Sequence, residues 1–238
     1  MLKVYHTPTV LPEHILLIDK PKGITSFDCI RILRKKLNIR KMGHAGTLDP
    51  MATGLMIIGV GDGTKKLHEF LKLDKTYEAE ILLGVKTDTG DITGQEVPIS
   101  NSQFSINFQD KKFSNEEIEK ILQTMIGKLE LPVPAYSAIK RGGEALYKKA
   151  RRGEVVDTPS KVMEITAVEF LGVSSPPPQL RRGAGGGVVV SVRFDVTSGT
   201  YIRSLAEEFG RRLGVPATLA GLRRTRIGEF KIEDAEVI

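Results

Sequence analysis

The sequence predicts an α+β protein built on a mixed, largely antiparallel sheet with flanking helices. Three observations carry this. Strand-like alternation and helical periodicity both occur, but without the regular strand–helix succession of a doubly wound parallel sheet. Val188, Val190, Val192, Phe194 and Val196 share one face of GVVVSVRFDV at a period of two. The stretch SSPPPQLRRGAGGG (Ser174 to Gly187) lies between two strand-like segments, where an extended hairpin connection suits it better than a domain linker.

The elements follow in order. The apolar stretch before Lys20 in EHILLIDK reads as a strand. TSFDCIRILRKKL reads as a helix capped by Thr25 or Ser26, with Phe27, Ile30, Leu33 and Leu37 at helical spacing. LMIIGV (Leu55 to Val60) is a buried strand. TYEAEILL alternates Tyr77, Ala79, Ile81 and Leu83 with Glu78 and Glu80, the pattern of a half-buried strand. Ser114 and Glu117 form a capping-box pair ahead of Ile118, Ile121, Leu122 and Met125, so a helix begins there. A last helix sets Tyr201, Ile202, Leu205, Ala206, Phe209 and Leu213 on one side and stops at Gly214.

Composition narrows the function. The 238 residues are 40% apolar and 27% charged, ordinary for a soluble globular chain with a sizeable core. No apolar run approaches the ~20 residues that cross a bilayer, and the N-terminus lacks a secretory layout. The single cysteine, Cys29, excludes an internal disulfide, so a cytoplasmic setting is expected. The net charge is +6 and unevenly spread. Arg31, Arg34, Lys35, Lys36, Arg40 and Lys41 make one basic island, and Lys140 to Arg152 a second. Arg211, Arg212, Arg223, Arg224 and Arg226 make a third. Together they could track the phosphates of a nucleic acid, or form separate solvated faces.

The densest chemical signal is MGHAGTLDPMATGLMIIGVGDGTK. Glycines 43, 46 and 54 and Pro50 surround one acid, Asp49. A helix would not tolerate that run; a loop that brings backbone close to a ligand and points a carboxylate outward would. On the Asp-Pro dipeptide alone, Asp49 reads as a turn starter. Neither GxxxxGK[ST] nor GxGxxG occurs. His6, His14, His44 and His68 show no i, i+4 pairing and Cys29 has no second cysteine, so no metal is expected. No GxSxG elbow places a nucleophilic serine.

GHAGTLDPMATG closely resembles the signature of the pseudouridine synthases that modify the T-arm loop of tRNA, and of their guide-dependent relatives. IDKPKGITSFD resembles that family's opening segment, and DKTYEAEILLGVKTDTGDITG its second block. PVPAYSAIKRGGEALYKKARRGE resembles the third, and SGTYIRSLAEEFG with LRRTRIGEF the last. The matches run in order across nearly the whole chain.

The resemblance implies the pseudouridine synthase fold; the chain is expected to be a single catalytic domain over 1–238, with little or no room for the C-terminal RNA-binding domain that members of the family usually carry. It implies isomerisation of a tRNA uridine, position 55 of the T-arm loop, by a monomeric enzyme needing neither metal nor cofactor nor membrane. Asp49 corresponds to the family's essential carboxylate, and Arg203 of GTYIR to the arginine that pairs with it. Tyr77 of KTYE corresponds to the tyrosine that lies against the uracil. Tyr201 and Leu222 match pocket-lining positions. His44 resembles the histidine that fills the space left when the target base is flipped out. Lys20 is expected at the pocket edge, as a structural or phosphate contact. Lys161 stands where the pattern has an arginine.

Overall fold

The computed structural model describes residues 14–98, 113–177 and 187–238. It divides into two compact units, one from Met1–Glu78 with Leu222–Ile238 and the other from Ala79–Gly221. The sheets are mixed and largely antiparallel and carry flanking helices, as the sequence predicts.

In chain order the first unit begins with β1 (Ile15–Lys20), α1 (Ser26–Leu37), β2 (Met42–Ala45), β3 (Thr53–Val60) and α2 (Leu67–Leu71). Strand β4 (Lys75–Leu83) runs on into the second unit. There follow α3 (Asn115–Gln123), β5 (Gly127–Pro132), β6 (Lys140–Arg141), β7 (Glu144–Ala145), α4 (Leu146–Arg151), β8 (Ser160–Ser174), β9 (Val188–Val196) and α5 (Ile202–Leu213). Strand β10 (Ala217–Ile227) returns to the first unit, which closes with β11 (Phe230–Lys231) and β12 (Glu236–Val237).

Strand β3 organises the first unit. Along one edge it pairs antiparallel with β1, from Ile15↔Gly59 to Lys20↔Gly54. Its other edge is shared. Strand β2 takes the end of it, Met42↔Val60 to Ala45↔Ile57, and β10 takes the start in parallel, Arg223↔Thr53 and Arg224↔Gly54. The chain therefore leaves this edge at Ala45 and rejoins it at Thr53, and the loop between carries Asp49. Ile15, Leu17, Leu55 and Ile57 pack with Ala45, Phe70 and Ile227 on one face, where the Phe70 and Phe230 rings meet edge-on at 5.6 Å. Leu16, Ile18, Met56 and Ile58 alternate to the other face and are equally buried.

Helix α1 starts on a full capping box between Thr25 and Asp28. Its buried positions are Ser26, Cys29, Ile30 and Leu33. Phe27, expected in the apolar stripe, is instead 55% exposed, with the Arg34 guanidinium 5.8 Å from its ring centre.

In the second unit β8 pairs antiparallel with both β5 and β9. The register Ser174↔Val189 makes β8 and β9 the two arms of a hairpin, and residues 178–186 of the expected connecting loop lie outside the described residues. Helix α3 begins where the Ser114 hydroxyl accepts from Glu117 N at 3.1 Å. Helix α5 is buried on more than its apolar side, since Arg203, Ser204 and Glu208 are enclosed with Leu205, Ala206 and Phe209. It ends at Gly214, whose φ of 74° is the left-handed cap conformation. Among the described residues no helix is long and apolar enough to cross a membrane.

Candidate active site

Asp49 lies half-buried in the loop between β2 and β3, in a turn closed by Ala52 N donating to Asp49 O at 3.0 Å. Its neighbours on both sides are fixed by backbone capture. The buried Ser26 hydroxyl accepts from Leu48 N at 2.8 Å and donates to Leu48 O at 3.0 Å. Gly23 N donates to Pro50 O at 2.8 Å. The loop is thus held one residue before and one residue after the carboxylate.

Lys20 completes that support. Its side chain is fully buried, and Nζ donates to Pro21 O at 2.9 Å, Ile24 O at 2.8 Å and Pro50 O at 3.4 Å. An ammonium has three donors and here meets three carbonyls. Burial pulls its pKa below the ordinary lysine value, while negative charge on Cys29 and Asp49 opposes that. Asp49 therefore lies within electrostatic reach of a cation whose hydrogen bonds are spent on the backbone.

His44 sits on β2 opposite Ile58. Its Nδ1 is buried without a hydrogen-bond partner among the described residues. Burial, then the positive charge of Arg224, lower its pKa, so the imidazole is neutral at pH 7. Tyr77 is buried on β4 and Leu222 half-buried on β10. The first unit thus holds Lys20, His44, Asp49, Tyr77 and Leu222.

Arg203 and Tyr201 belong to the second unit. Arg203 is buried in the first turn of α5, where Nη1 donates to Thr89 O and Nη2 to Tyr136 O, both at 3.0 Å. Nη1 is also 3.9 Å from Asp91 Oδ2. Asp91 is itself fixed, its Oδ1 accepting from Thr93 N at 2.9 Å and from the hydroxyls of Thr93 and Thr89 at 2.5 and 3.0 Å. Tyr201 is half-buried, and Lys161 Nζ lies 5.9 Å from its ring centre while donating to Gly199 O at 2.9 Å.

Sequence reasoning assigned no site role to Ser26, Asp91 or Arg224. In the sequence Ser26 has only the pattern of a possible helix cap. Arg224 has that of a basic island, yet it is buried, with Nε donating to Leu55 O at 2.7 Å and Nη2 to Gly46 O at 3.2 Å. Much of the rest of that third island is engaged by neighbouring groups. Arg223 forms an ion pair with Asp19 at 2.7 Å, Arg226 Nε donates to Thr76 Oγ1 at 2.9 Å, and Arg211 and Arg212 share Glu208. Among the described residues no three His, Cys, Asp or Glu side chains are gathered as a metal site would require.

Residues 34–202 match the family model for the N-terminal domain of the TruB family pseudouridylate synthases. The chain belongs to the TruB family. It is 39% identical over 223 residues to a tRNA pseudouridine synthase B from Aromatoleum aromaticum, covering 94% of this chain and 66% of the relative. It is 42% identical over 221 residues to the protein of that name from Xanthomonas oryzae pv. oryzae, covering 92% and 65%. For the one from Endomicrobium trichonymphae the figures are 39% over 223 residues, 94% and 88%. The chain thus spans just under two thirds of the length of the first two relatives. Two solved structures share the fold over 94% of the chain. One is an H/ACA RNP bound to a substrate RNA containing 2′-deoxyuridine, with a TM-score of 0.65 at 23% identity and 51% of that chain covered. The other is a Cbf5-Nop10-Gar1 complex, with a TM-score of 0.64 at 25% identity and 52% covered. Within the TruB match lie His44, Asp49, Tyr77 and Tyr201, whereas Lys20, Arg203 and Leu222 fall outside it.

Proposed function

We propose that this TruB-family chain is a tRNA pseudouridine synthase that isomerises the uridine at position 55 of the T-arm loop. The N1–C1′ bond of the nucleotide breaks, the uracil turns, and C5 bonds to C1′ while its proton is lost and N1 regains one. Substrate and product have the same atoms. A carboxylate serves such a step because it can add as a nucleophile and later leave, and Asp49 is the proposed group. The observation that carries this reading is the bracing of the Asp49 turn. Leu48 and Pro50 are both held by hydrogen bonds from the segment Lys20 to Ser26.

The remaining roles rest on the family pattern and agree with the local chemistry. Arg203 supplies the guanidinium for the carboxylate, Tyr77 the aromatic face for the uracil, and Tyr201 and Leu222 further pocket lining. His44, a neutral imidazole with an unmet ring nitrogen, fills the space left by the flipped base and offsets part of the lost stacking, a few kcal/mol. We place the reaction in the cytoplasm, on a monomer whose 1–238 act as one catalytic domain.

The test is pseudouridine formation on an unmodified T-arm stem-loop, without guide RNA or partner protein. Product at position 55 with wild type, and none with Asp49→Asn at unchanged RNA affinity, is the expected result. Failure of the wild type on every tRNA transcript overturns the reading.

A further inference from the structure

Among the fully buried side chains of the described residues, Arg224 is the largest. A guanidinium removed from water costs several kcal/mol unless its donors are met, and an apolar side chain would fill the same space without that cost. The Arg224 guanidinium donates to backbone carbonyls. Nε takes Leu55 O, on β3 just after the chain rejoins the sheet, and Nη2 takes Gly46 O, just after it has left. One rigid fork therefore ties the two ends of the loop that carries Asp49. Gly54 lets the β10 backbone come close here, since a Cβ on it would lie 2.3 Å from Arg224 O and 2.6 Å from its N, whereas a Cβ on Gly46 would lie 3.4 Å from Nη1, an ordinary contact.

We propose that Arg224 is a positioning residue for the reaction, its guanidinium fixing both stems of the Asp49 loop and so the height at which the carboxylate meets the ribose or base. Lys20 and Ser26 hold the middle of the loop from one side, and Arg224 holds its ends from β10. At 1% exposure the side chain offers nothing to an RNA phosphate. Its charge is felt nearby, since it helps to lower the pKa of both His44 and Lys75. The inference rests on Asp49 being the reacting group.

The test compares wild type, Arg224→Gln, Arg224→Lys and Asp49→Asn on a T-arm stem-loop. It measures single-turnover rate, RNA affinity and the NMR titration of the His44 imidazole. A misplaced carboxylate costs about 100-fold in rate, so Arg224→Gln should fall by that order with little change in affinity. Arg224→Lys keeps the charge but cannot span both carbonyls, so its rate falls as well. The His44 titration separates the two: it moves up in Arg224→Gln and stays low in Arg224→Lys. A folded Arg224→Gln with wild-type rate, or with an unmoved His44 titration, overturns the inference. If Arg224→Gln does not fold, Arg224→Lys decides alone, and a wild-type rate there overturns it. Turnover by Asp49→Asn would instead overturn the site reading, and the role of Arg224 with it.

Discussion

Ser26 and Leu48 exchange two hydrogen bonds through one hydroxyl, which accepts from Leu48 N at 2.8 Å and donates to Leu48 O at 3.0 Å. The serine is the first residue of α1, and the leucine precedes Asp49. A single buried oxygen thus docks a helix against the loop that holds the carboxylate. Ser26→Ala leaves both backbone groups unmet in a buried place, a cost of about 1–3 kcal/mol. Urea denaturation should show that loss, and single-turnover kinetics on a stem-loop should show a slower chemical step. A variant as stable and as fast as wild type would contradict the docking role.

Gly54 and Gly23 separate two kinds of glycine requirement. Both have positive φ, 111° and 92°. A Cβ on Gly23 would meet nothing within 4 Å, whereas one on Gly54 would strike the Arg224 backbone. Gly23→Ala should therefore lose only dihedral strain, about 1–2 kcal/mol. Gly54→Ala should lose more than that, because β10 must move off β3. Equal midpoint shifts in denaturation would refute the distinction.

Lys75 gives a pH dependence with a definite sign. Burial, then the charge of Arg224, lower its pKa from 10.5 to about 8, with Asp74 opposing. Its ammonium caps the carbonyls of Leu71, at 2.7 Å, and Leu73. Below pH 8 the group is charged both folded and unfolded. Between about 8 and 10.5 the unfolded chain still binds the proton that the folded chain has released, so this contribution makes folding more favourable as pH rises. The stability of wild type relative to Lys75→Met should then rise from pH 7.5 to pH 10, by a few kcal/mol at most (about 1.4 per pKa unit). A difference that stays flat over that range would show that Lys75 titrates normally.

Asp91 faces Arg203 with Oδ2 while its Oδ1 is fixed by Thr89 and Thr93. Asp91→Asn removes the charge and keeps the shape. Because Arg203 retains Thr89 O and Tyr136 O, the helix should fold. The expected result is a fall in kcat of about tenfold, equal to about 1.4 kcal/mol, with KM little changed. A change confined to KM would place the effect on RNA binding instead.

The basic islands make opposite salt predictions. Arg223 is engaged by Asp19, whereas Lys148 is exposed on α4. If the second island meets RNA phosphates, Lys148→Ala should lower the slope of log affinity against log salt by about 1. Arg223→Ala should leave that slope unchanged.

Much of the fold is legible in the sequence because its signals are local. Thr25 and Ser114 cap the helices they precede, Gly214 stops α5, and the alternation of β4 and β9 matches their burial. Phe27 shows where local spacing fails. The Ser26 hydroxyl is needed inside, at Leu48, so the inner face of α1 runs through Ser26, Cys29, Ile30 and Leu33 and leaves Phe27 outside. The Asp49 loop is legible from its glycines and its family signature, but its supports Ser26 and Arg224 are not. Arg223 and Arg224 look like neighbours of one charge island. One meets Asp19 and the other meets Gly46 and Leu55, all far away in the chain, and no local pattern marks a buried arginine.

The shared edge of β3 has a consequence for biosynthesis. Strands β1, β2 and β3 are close in sequence and can pair soon after they leave the ribosome, but on the edge opposite β1 the first residues of β3 wait for β10, about 170 positions later. Such long-range pairings form late, after a costly chain closure. A nascent polypeptide still short of Arg224 therefore carries Asp49 on a loop held at its middle by Lys20 to Ser26 but not tied at its ends. Full fastening of the loop arrives with β10, rather than growing evenly with the chain.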